Sequence, residues 1–367
     1  MPNKYSMTKT IHVYADSPTG EWHLKELNIP QIKIYFGLGA LEEFNQVPIF
    51  EEKHAVFHAC FPYHPGQGNT LDECVLQLLA HCKTITVLIS EVHTPIVEFM
   101  NNFHQPQMRY LICGFVEGMQ TYPWLDWFQT TSTFYKKNIT ILDQLRPYAI
   151  KPKYFDILLG QPKPHRDRVY HFIKNNDFDN CVIMTYLLDH WSKSIRDHGN
   201  NGFMLDEPGL VVPDKEFNWT VTRVNYYGWP MSLSQVVPIC SVYNETAYTV
   251  ITETNIENHY TFFTEKTCKP IMAERLFIML GGQYYLRNLR ELGFKTFDGI
   301  IDESYDLEPD NNQRWAMAIE QMKYLFNQPQ IEILSKIRPI TEHNKRVMLE
   351  TDWASNMRNQ LRKFITE

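Results

Sequence analysis

Four basic side chains follow closely on one apolar run of this sequence. The run 155–159 has the composition of a buried strand and ends at Gly160, and the pattern of residues 169–173 predicts a helix soon afterwards. The turn between them contains Lys163, His165, Arg166 and Arg168. Amide groups at a helix N-terminus, together with guanidinium groups, favour the binding of phosphate oxygens. A solvated basic turn, paired with nearby aspartates, is the alternative interpretation.

Charged residues also open a second predicted helix. The segment Thr252-Glu253-Thr254 follows an apolar strand-like run, and Thr264 is a residue type that caps helix N-termini. The first turns of that helix contain Glu265, Lys266 and Lys269. A carboxylate there can accept hydrogen bonds from both hydroxyls of a ribose, and the lysines can neutralise a diphosphate. Alternatively, Glu265 only complements the helix dipole.

A glycine pair ends the next apolar run, 276–280. Glycine lets a backbone approach a ligand closely, although glycine pairs also occur in tight strand-to-helix turns. We therefore include Gly281 and Gly282 among the candidate binding residues.

Alternating strand and helix patterns run along the whole chain and predict the α/β class with mainly parallel sheets. A length of 367 residues favours two domains, and prolines among charges mark a break near 147–153. We expect two Rossmann-like domains facing across a cleft, over residues 1–150 and 151–345. A C-terminal helix, 346–367, is expected to pack back across their boundary. Ligands of such folds bind at the carboxyl ends of the strands.

Composition excludes several classes of protein. Hydrophobic residues make up 44% and aromatic residues 14% of the chain, which is a globular composition and not that of a disordered or fibrous protein. The net charge of −7 provides no general field for holding nucleic acid, although a local basic groove remains possible. The 7 cysteines are scattered without a C-x-x-C pair, which favours reduced thiols and the cytoplasm. We also expect no membrane span and no secretion signal.

The order of these motifs resembles the donor-binding half of GT-B glycosyltransferases, most closely the fucosyltransferase-like and bacteriophage-encoded members. The resemblance covers residues 154–326 and includes the basic turn, the Thr-Glu-Lys sequence at 264–266 and the strand ending in Gly-Gly. It implies a nucleoside diphosphate sugar, with UDP or GDP, as donor and no other essential cofactor. It places Arg166 and Arg168 at the diphosphate.

The same resemblance places Glu265 at the ribose or donor sugar and Lys266 or Lys269 at the phosphates. DNA glucosyltransferases of bacteriophages have a similar scheme, so the acceptor is expected to be a hydroxylated DNA base or a glycan. A phage-encoded enzyme of this kind would act in the host cytoplasm. The alternative is a non-catalytic protein of the same fold that binds nucleotide sugars or glycans. The oligomeric state stays open.

An inverting transferase also needs a base that deprotonates the acceptor hydroxyl. Acidic or imidazole side chains that follow predicted strands of the first domain are the candidates: Asp16, His64, Glu91 and Glu117. We rank Glu91 and His64 first.

We expect no metal site. The pair Asp177 and Asp179 resembles a metal-binding Asp-x-Asp, but it lies between a predicted helix and strand, where a solvated turn is the better interpretation. The group of His54, His58, Cys60 and His64 spans a strand and a turn without zinc-ligand spacing.

Overall fold

The computed structural model describes residues 9–48, 51–59, 75, 78–137, 139–160, 162–186, 223–226, 229–232 and 240–367. The strands are β1 (Ile11–Ala15), β2 (Ile32–Phe36), β3 (Glu52–Ala59), β4 (Thr84–Ile89), β5 (Met108–Ile112), β6 (Gly114–Val116), β7 (Tyr122–Pro123), β8 (Lys153–Leu158), β9 (Val182–Thr185), β10 (Arg223–Tyr226), β11 (Trp229–Ser232), β12 (Thr246–Thr252), β13 (Tyr260–Phe262) and β14 (Phe277–Leu280). The helices are α1 (Pro18–Glu26), α2 (Leu38–Gln46), α3 (Thr94–Phe103), α4 (Asp126–Lys137), α5 (Pro164–Asn175), α6 (Cys240–Glu245), α7 (Glu265–Met272), α8 (Tyr285–Glu291), α9 (Asn311–Phe326), α10 (Gln330–Glu350) and α11 (Trp353–Thr366).

The chain divides into two compact units. Unit 1 comprises Met1–Asp126, Asn225–Trp229 and Asp352–Glu367, and unit 2 comprises Trp127–Val224 and Pro230–Thr351. The main breaks therefore lie after Asp126 and Thr351, whereas the sequence suggests breaks near 150 and 345.

Unit 1 is built on a six-stranded parallel sheet with the order β2-β1-β3-β4-β5-β7. Strand β4 is buried along its whole length, as expected for a parallel strand covered on both faces. The order reverses beside β1: the chain passes from β1 outward to β2 and then returns to β3 on the other side of β1. This reversal is the topological switch point, where open α/β sheets bind ligands.

Helices α1 and α11 cover one part of this sheet. Met357, Leu361 and Ile365 of α11 belong to the same buried cluster as Leu88 of β4 and Leu111 of β5. The C-terminus is also tied to β4, because the hydroxyl of Thr84 donates a hydrogen bond to the carbonyl of Phe364.

The predicted C-terminal helix differs from the observed one in its start. Residues 346–350 belong to α10, and a new helix begins at Trp353, where the Asp352 carboxylate accepts a hydrogen bond from the Ser355 amide. Trp353, Met357 and Leu361, which follow one another at helical spacing along α11, are buried, whereas Leu349 before them is only partly buried.

Unit 2 is built on a four-stranded parallel sheet with the order β14-β12-β8-β9. Its order reverses beside β8, since the chain passes from β8 to β9 and then to β12 on the opposite side. The predicted α/β class with parallel sheets is therefore confirmed in both units. The apolar runs predicted as strands at 155–159 and 276–280 correspond to β8 and β14, within two residues at each end. Apolar residues at helical spacing predict a helix over 70–81, and most of that segment lies outside the described residues.

A buried ion pair fixes β8 against β12. Arg275 donates to the Asp156 carboxylate at 2.8 Å and to the carbonyls of Thr246 and Tyr248 at 2.8 and 2.9 Å. The Thr249 hydroxyl donates to Asp156 at 2.9 Å. These polar partners surround the buried pair and link β8 to β12. In the described part of the chain, no helix is both long and apolar enough to cross a membrane.

Candidate functional site

The candidate site of unit 2 lies at its topological switch point, where β8 and β12 end side by side. Strand β8 ends at Leu158 and leads through Gly160 to α5, and β12 ends at Thr252 and is followed by Glu253. The carboxyl ends of two parallel neighbours thus bring both loops to one edge of the sheet.

The basic turn packs against the end of β12. His165 is fully buried, and its Nε2 lies 2.9 Å from the carbonyl oxygen of Glu253. Arg166 is 4% exposed and donates to the carbonyls of Thr252 and Glu253 at 3.4 and 3.5 Å. The ammonium group of Lys163 donates to the carbonyl of Thr254. These three residues do not form a solvated turn, because β12 fixes their side chains.

Gly160 makes room for the arginine. A Cβ atom at this position would lie 3.2 Å from Nη1 of Arg166, so a larger residue would crowd the guanidinium. The glycine after β8 therefore leaves space for the Arg166 side chain at the carboxyl end of β8.

The second predicted motif lies at the same edge. Thr264 caps α7, as predicted, because its hydroxyl accepts a hydrogen bond from the amide of Lys266. The Lys266 ammonium lies 3.1 Å from the Glu265 carboxylate and 3.0 Å from the hydroxyl of Thr254. Both charged side chains keep some access to solvent, with 27% of Lys266 and 15% of Glu265 exposed.

Glu253 connects the two motifs. Its carboxylate is 0% exposed and accepts hydrogen bonds from Thr264 and Tyr285, both at 2.9 Å, and from the amide of Thr254 at 3.1 Å. Its backbone carbonyl is the one that contacts His165 and Arg166. Sequence reasoning gave this glutamate no role. The sequence feature that could have indicated a role for Glu253 is its position as an acidic residue directly after a buried strand.

The charges of the site shift one another's proton affinities. Burial raises the pKa of Glu253, and the nearby Lys266 opposes the shift. Burial alone would raise the pKa of Glu265, but the charges of Lys266 and Lys269 outweigh it and lower the pKa. Burial alone would lower the pKa of Lys266, but Glu265 and Glu253 outweigh it and raise the pKa.

Two further cations respond to burial. Burial lowers the pKa of Arg166, against the opposing charges of Glu253 and Glu265. Burial lowers the pKa of Lys269 to about 8, although Glu265 opposes the shift. With Lys163, the basic side chains outnumber the two glutamates, so this edge of unit 2 suits an anion of more than one charge.

Arg168 is not brought to this edge in the same way. It is exposed and donates to the carbonyl and side-chain oxygens of Asn312 at 3.0 and 2.8 Å. Arg166 and Arg168 therefore have different partners, although both belong to α5.

Protein atoms surround the glycine pair. A Cβ on Gly282 would lie 2.5 Å from the carbonyl oxygen of Glu257, and one on Gly281 would lie 3.0 Å from the ring of Tyr285. The absence of a side chain at Gly282 thus allows the loop after β12 to pack against the loop after β14.

Asp16 is one of the candidate bases that the structure describes. It follows β1 at the switch point of unit 1, and its carboxylate accepts a hydrogen bond from the backbone amide of His58 at 3.0 Å. Burial raises its pKa to about 7, against the hydrogen bonds from His58 and Ser17. Glu91 follows β4, two strands away from β1, and is partly buried. His64 lies outside the described residues.

The residues considered for metal binding have other local roles. Asp177 adopts a left-handed backbone in the turn after α5, and Asp179 pairs with Lys174, as the turn interpretation predicts. His54 makes a hydrogen bond of 2.7 Å with the hydroxyl of Thr84. Among the residues that the structure describes, no three His, Cys, Asp or Glu side chains are grouped to hold a metal ion.

Comparison of the sequence with protein-family models and with curated proteins finds no match in either set.

Proposed function

We propose that the protein is a glycosyltransferase that moves a sugar from a nucleoside diphosphate sugar, with UDP or GDP, to an acceptor hydroxyl. The observation that supports this proposal is the convergence of Arg166, Lys266 and Glu265 at one switch point, from segments far apart in the sequence. Two cations and one carboxylate in this arrangement match the charges of a diphosphate and the hydroxyls of a ribose.

The chemical requirement on unit 2 is stabilisation of the leaving diphosphate. Negative charge develops on the bridging oxygen as the sugar leaves, and preorganised cations lower the energy of that state. Arg166 and Lys266 are held by hydrogen bonds in the absence of ligand, so little reorganisation is needed when the charge forms. The N-terminus of α5 adds amide donors at the same place.

The acceptor side completes the proposal. We assign the acceptor hydroxyl to unit 1, with Asp16 as the base, in a GT-B arrangement in which the two units face each other. A carboxylate with a pKa of about 7 can accept a proton near neutral pH. The acceptor is either a hydroxylated base in phage DNA or a glycan, and the experiment below distinguishes the two.

The test measures release of UDP or GDP from a panel of nucleotide sugars, with hydroxymethylated DNA, with a glycan mixture and with neither. We expect release from one donor, accelerated by one acceptor. Arg166→Ala should lower the rate, while Lys174→Ala, which removes an exposed cation from the same helix, should leave it unchanged. Binding of a nucleotide without release would identify a non-catalytic binding protein, and no binding of any nucleoside diphosphate would refute the proposal.

A further inference from the structure

Glu253 joins the two halves of the proposed donor site. Through its backbone carbonyl it holds His165 and Arg166 of the basic turn. Through its carboxylate it holds Thr264 and Thr267 of the α7 N-terminal turn, at 2.9 and 3.4 Å. Thr254 also contacts both segments, with its carbonyl toward Lys163 and its hydroxyl toward Lys266, whereas Glu253 contacts Arg166 and the Thr264 cap of α7.

We infer that Glu253 is the positioning residue of the donor site, which sets the separation of Arg166 and Lys266 so that both act on one diphosphate. This inference rests on the proposed function and adds to it a residue that is itself sealed from solvent.

The neighbours of the carboxylate explain why a glutamate is required. They are the hydroxyls of Thr264, Thr267 and Tyr285 and the amide of Thr254, all of which can donate. A carboxylate has only acceptors. The Thr267 and Tyr285 hydroxyls lie 2.7 Å apart and one donates to the other, so the carboxylate accepts from Thr264, from the amide of Thr254 and from one of these two hydroxyls. A glutamine would direct an NH₂ group at some of these donors and leave a buried polar group without a partner, so the two turns would have to move apart.

The negative charge of Glu253 makes the inference testable, because a purely electrostatic role and a positioning role predict opposite changes in anion binding. Its carboxylate lies 4.0 Å from the Lys266 ammonium, which is one of the cations of the site. If Glu253 acted only as a negative charge, its neutralisation would strengthen the binding of an anion. If Glu253 positions the cations, neutralisation weakens anion binding, because Arg166 and Lys266 no longer match one ligand.

The experiment compares wild type, Glu253→Gln and Tyr285→Phe by calorimetric titration with UDP, GDP and pyrophosphate. Tyr285→Phe removes one donor to the carboxylate and retains all charges of the site, so it tests the inference even if Glu253→Gln does not fold. We expect binding to be weaker by about tenfold or more in Glu253→Gln and by a few-fold in Tyr285→Phe. Thr264→Val, which removes the hydroxyl that Glu253 holds, should weaken binding as Glu253→Gln does, and Lys174→Ala, which removes an exposed cation of α5, should bind like wild type.

The outcomes separate this inference from the proposed function. If folded Glu253→Gln binds pyrophosphate as tightly as wild type or more tightly, the positioning role is overturned, even if wild type is an active transferase. If Glu253→Gln does not fold, unchanged binding by Tyr285→Phe overturns the positioning role. Wild type that binds pyrophosphate but neither nucleotide would refute the proposed function, while the pyrophosphate titrations would still test the role of Glu253. Wild type that binds none of the three ligands would overturn both. In an active enzyme, Glu253→Gln should raise the donor KM and lower kcat together.

Discussion

The substitution Asp16→Asn should make the protein more stable at alkaline pH. Burial raises the pKa of this carboxyl from its ordinary value of 3.8 to about 7. Between these values the folded chain holds a proton that the unfolded chain has lost, so stability falls as the pH rises through this window. At pH 4 the unfolded carboxyl is already about half protonated, so Asp16 imposes only a small penalty there.

The size of the effect follows from the shift. Each unit of pKa shift corresponds to 1.36 kcal/mol, so a shift from 3.8 to about 7 corresponds to about 4 kcal/mol above pH 7. Asparagine has the shape of the protonated acid and keeps an oxygen for the amide of His58. We therefore expect Asp16→Asn to exceed wild type in free energy of unfolding by up to about 4 kcal/mol at pH 8, and to come close to it at pH 4.

The assay is urea unfolding of both proteins from pH 4 to 8. Burial lowers the pKa values of His23 and His58 to about 3 and 4, so both proteins lose stability as the pH falls. Because wild type and Asp16→Asn share these histidines, this loss cancels when their free energies of unfolding are subtracted. Glu42→Gln on the exposed face of α2 is the control and should show no pH-dependent difference. A constant difference between Asp16→Asn and wild type over this range would refute the reasoning. If Asp16 is the base, the stabilised variant should also lose sugar transfer while retaining nucleotide binding.

Four further substitutions test the site of unit 2. Arg166→Ala should weaken nucleoside diphosphate binding by ~1.5 to 3 kcal/mol in calorimetry, and unchanged affinity would remove it from the site. Glu265→Ala should weaken UDP or GDP more than pyrophosphate, whereas equal losses would indicate a structural role. Because the pKa of Lys269 is about 8, diphosphate affinity should fall between pH 7 and 9, and Lys269→Arg should flatten that profile; an identical slope in the variant would exclude Lys269. Gly282→Ala should lower the melting temperature, since its Cβ would lie 2.5 Å from the carbonyl of Glu257, and unchanged melting would show that this loop yields freely.

The regular elements were predictable because their patterns are local. The strand β14 is a continuous apolar run, and β4 and β12 are fully buried with threonine as their only polar residue type, as expected of parallel strands covered on both faces. The strand β8 has an apolar segment interrupted by Asp156. The cap at Thr264 was equally predictable, since a threonine before Glu-Lys satisfies the free amides of the helix start.

The distinction between Arg166 and Arg168 depends on helix phase. Residues two positions apart on a helix are separated by about 200° around its axis, so only one of the two arginines can point at the switch point. The sequence places both in one basic turn, but it does not show which of them faces β12.

The role of Glu253 depends on tertiary structure. Its partners at Thr264, Thr267 and Tyr285 come from two different helices, and nothing in the segment 252–254 indicates that their hydroxyls converge on it. The environment of Asp16 has the same origin, because it depends on the strand order, which a linear pattern does not specify.

The place of α11 in unit 1 has a consequence for synthesis. A ribosome delivers residues 9–126 first, but Met357 and Leu361, which cover Leu88 and Leu111, emerge only after all of unit 2. Until then an apolar stretch of nascent chain stays uncovered, and such surfaces recruit chaperones. The last residue of unit 2 is Thr351, so unit 2 can complete its fold while unit 1 still lacks α11.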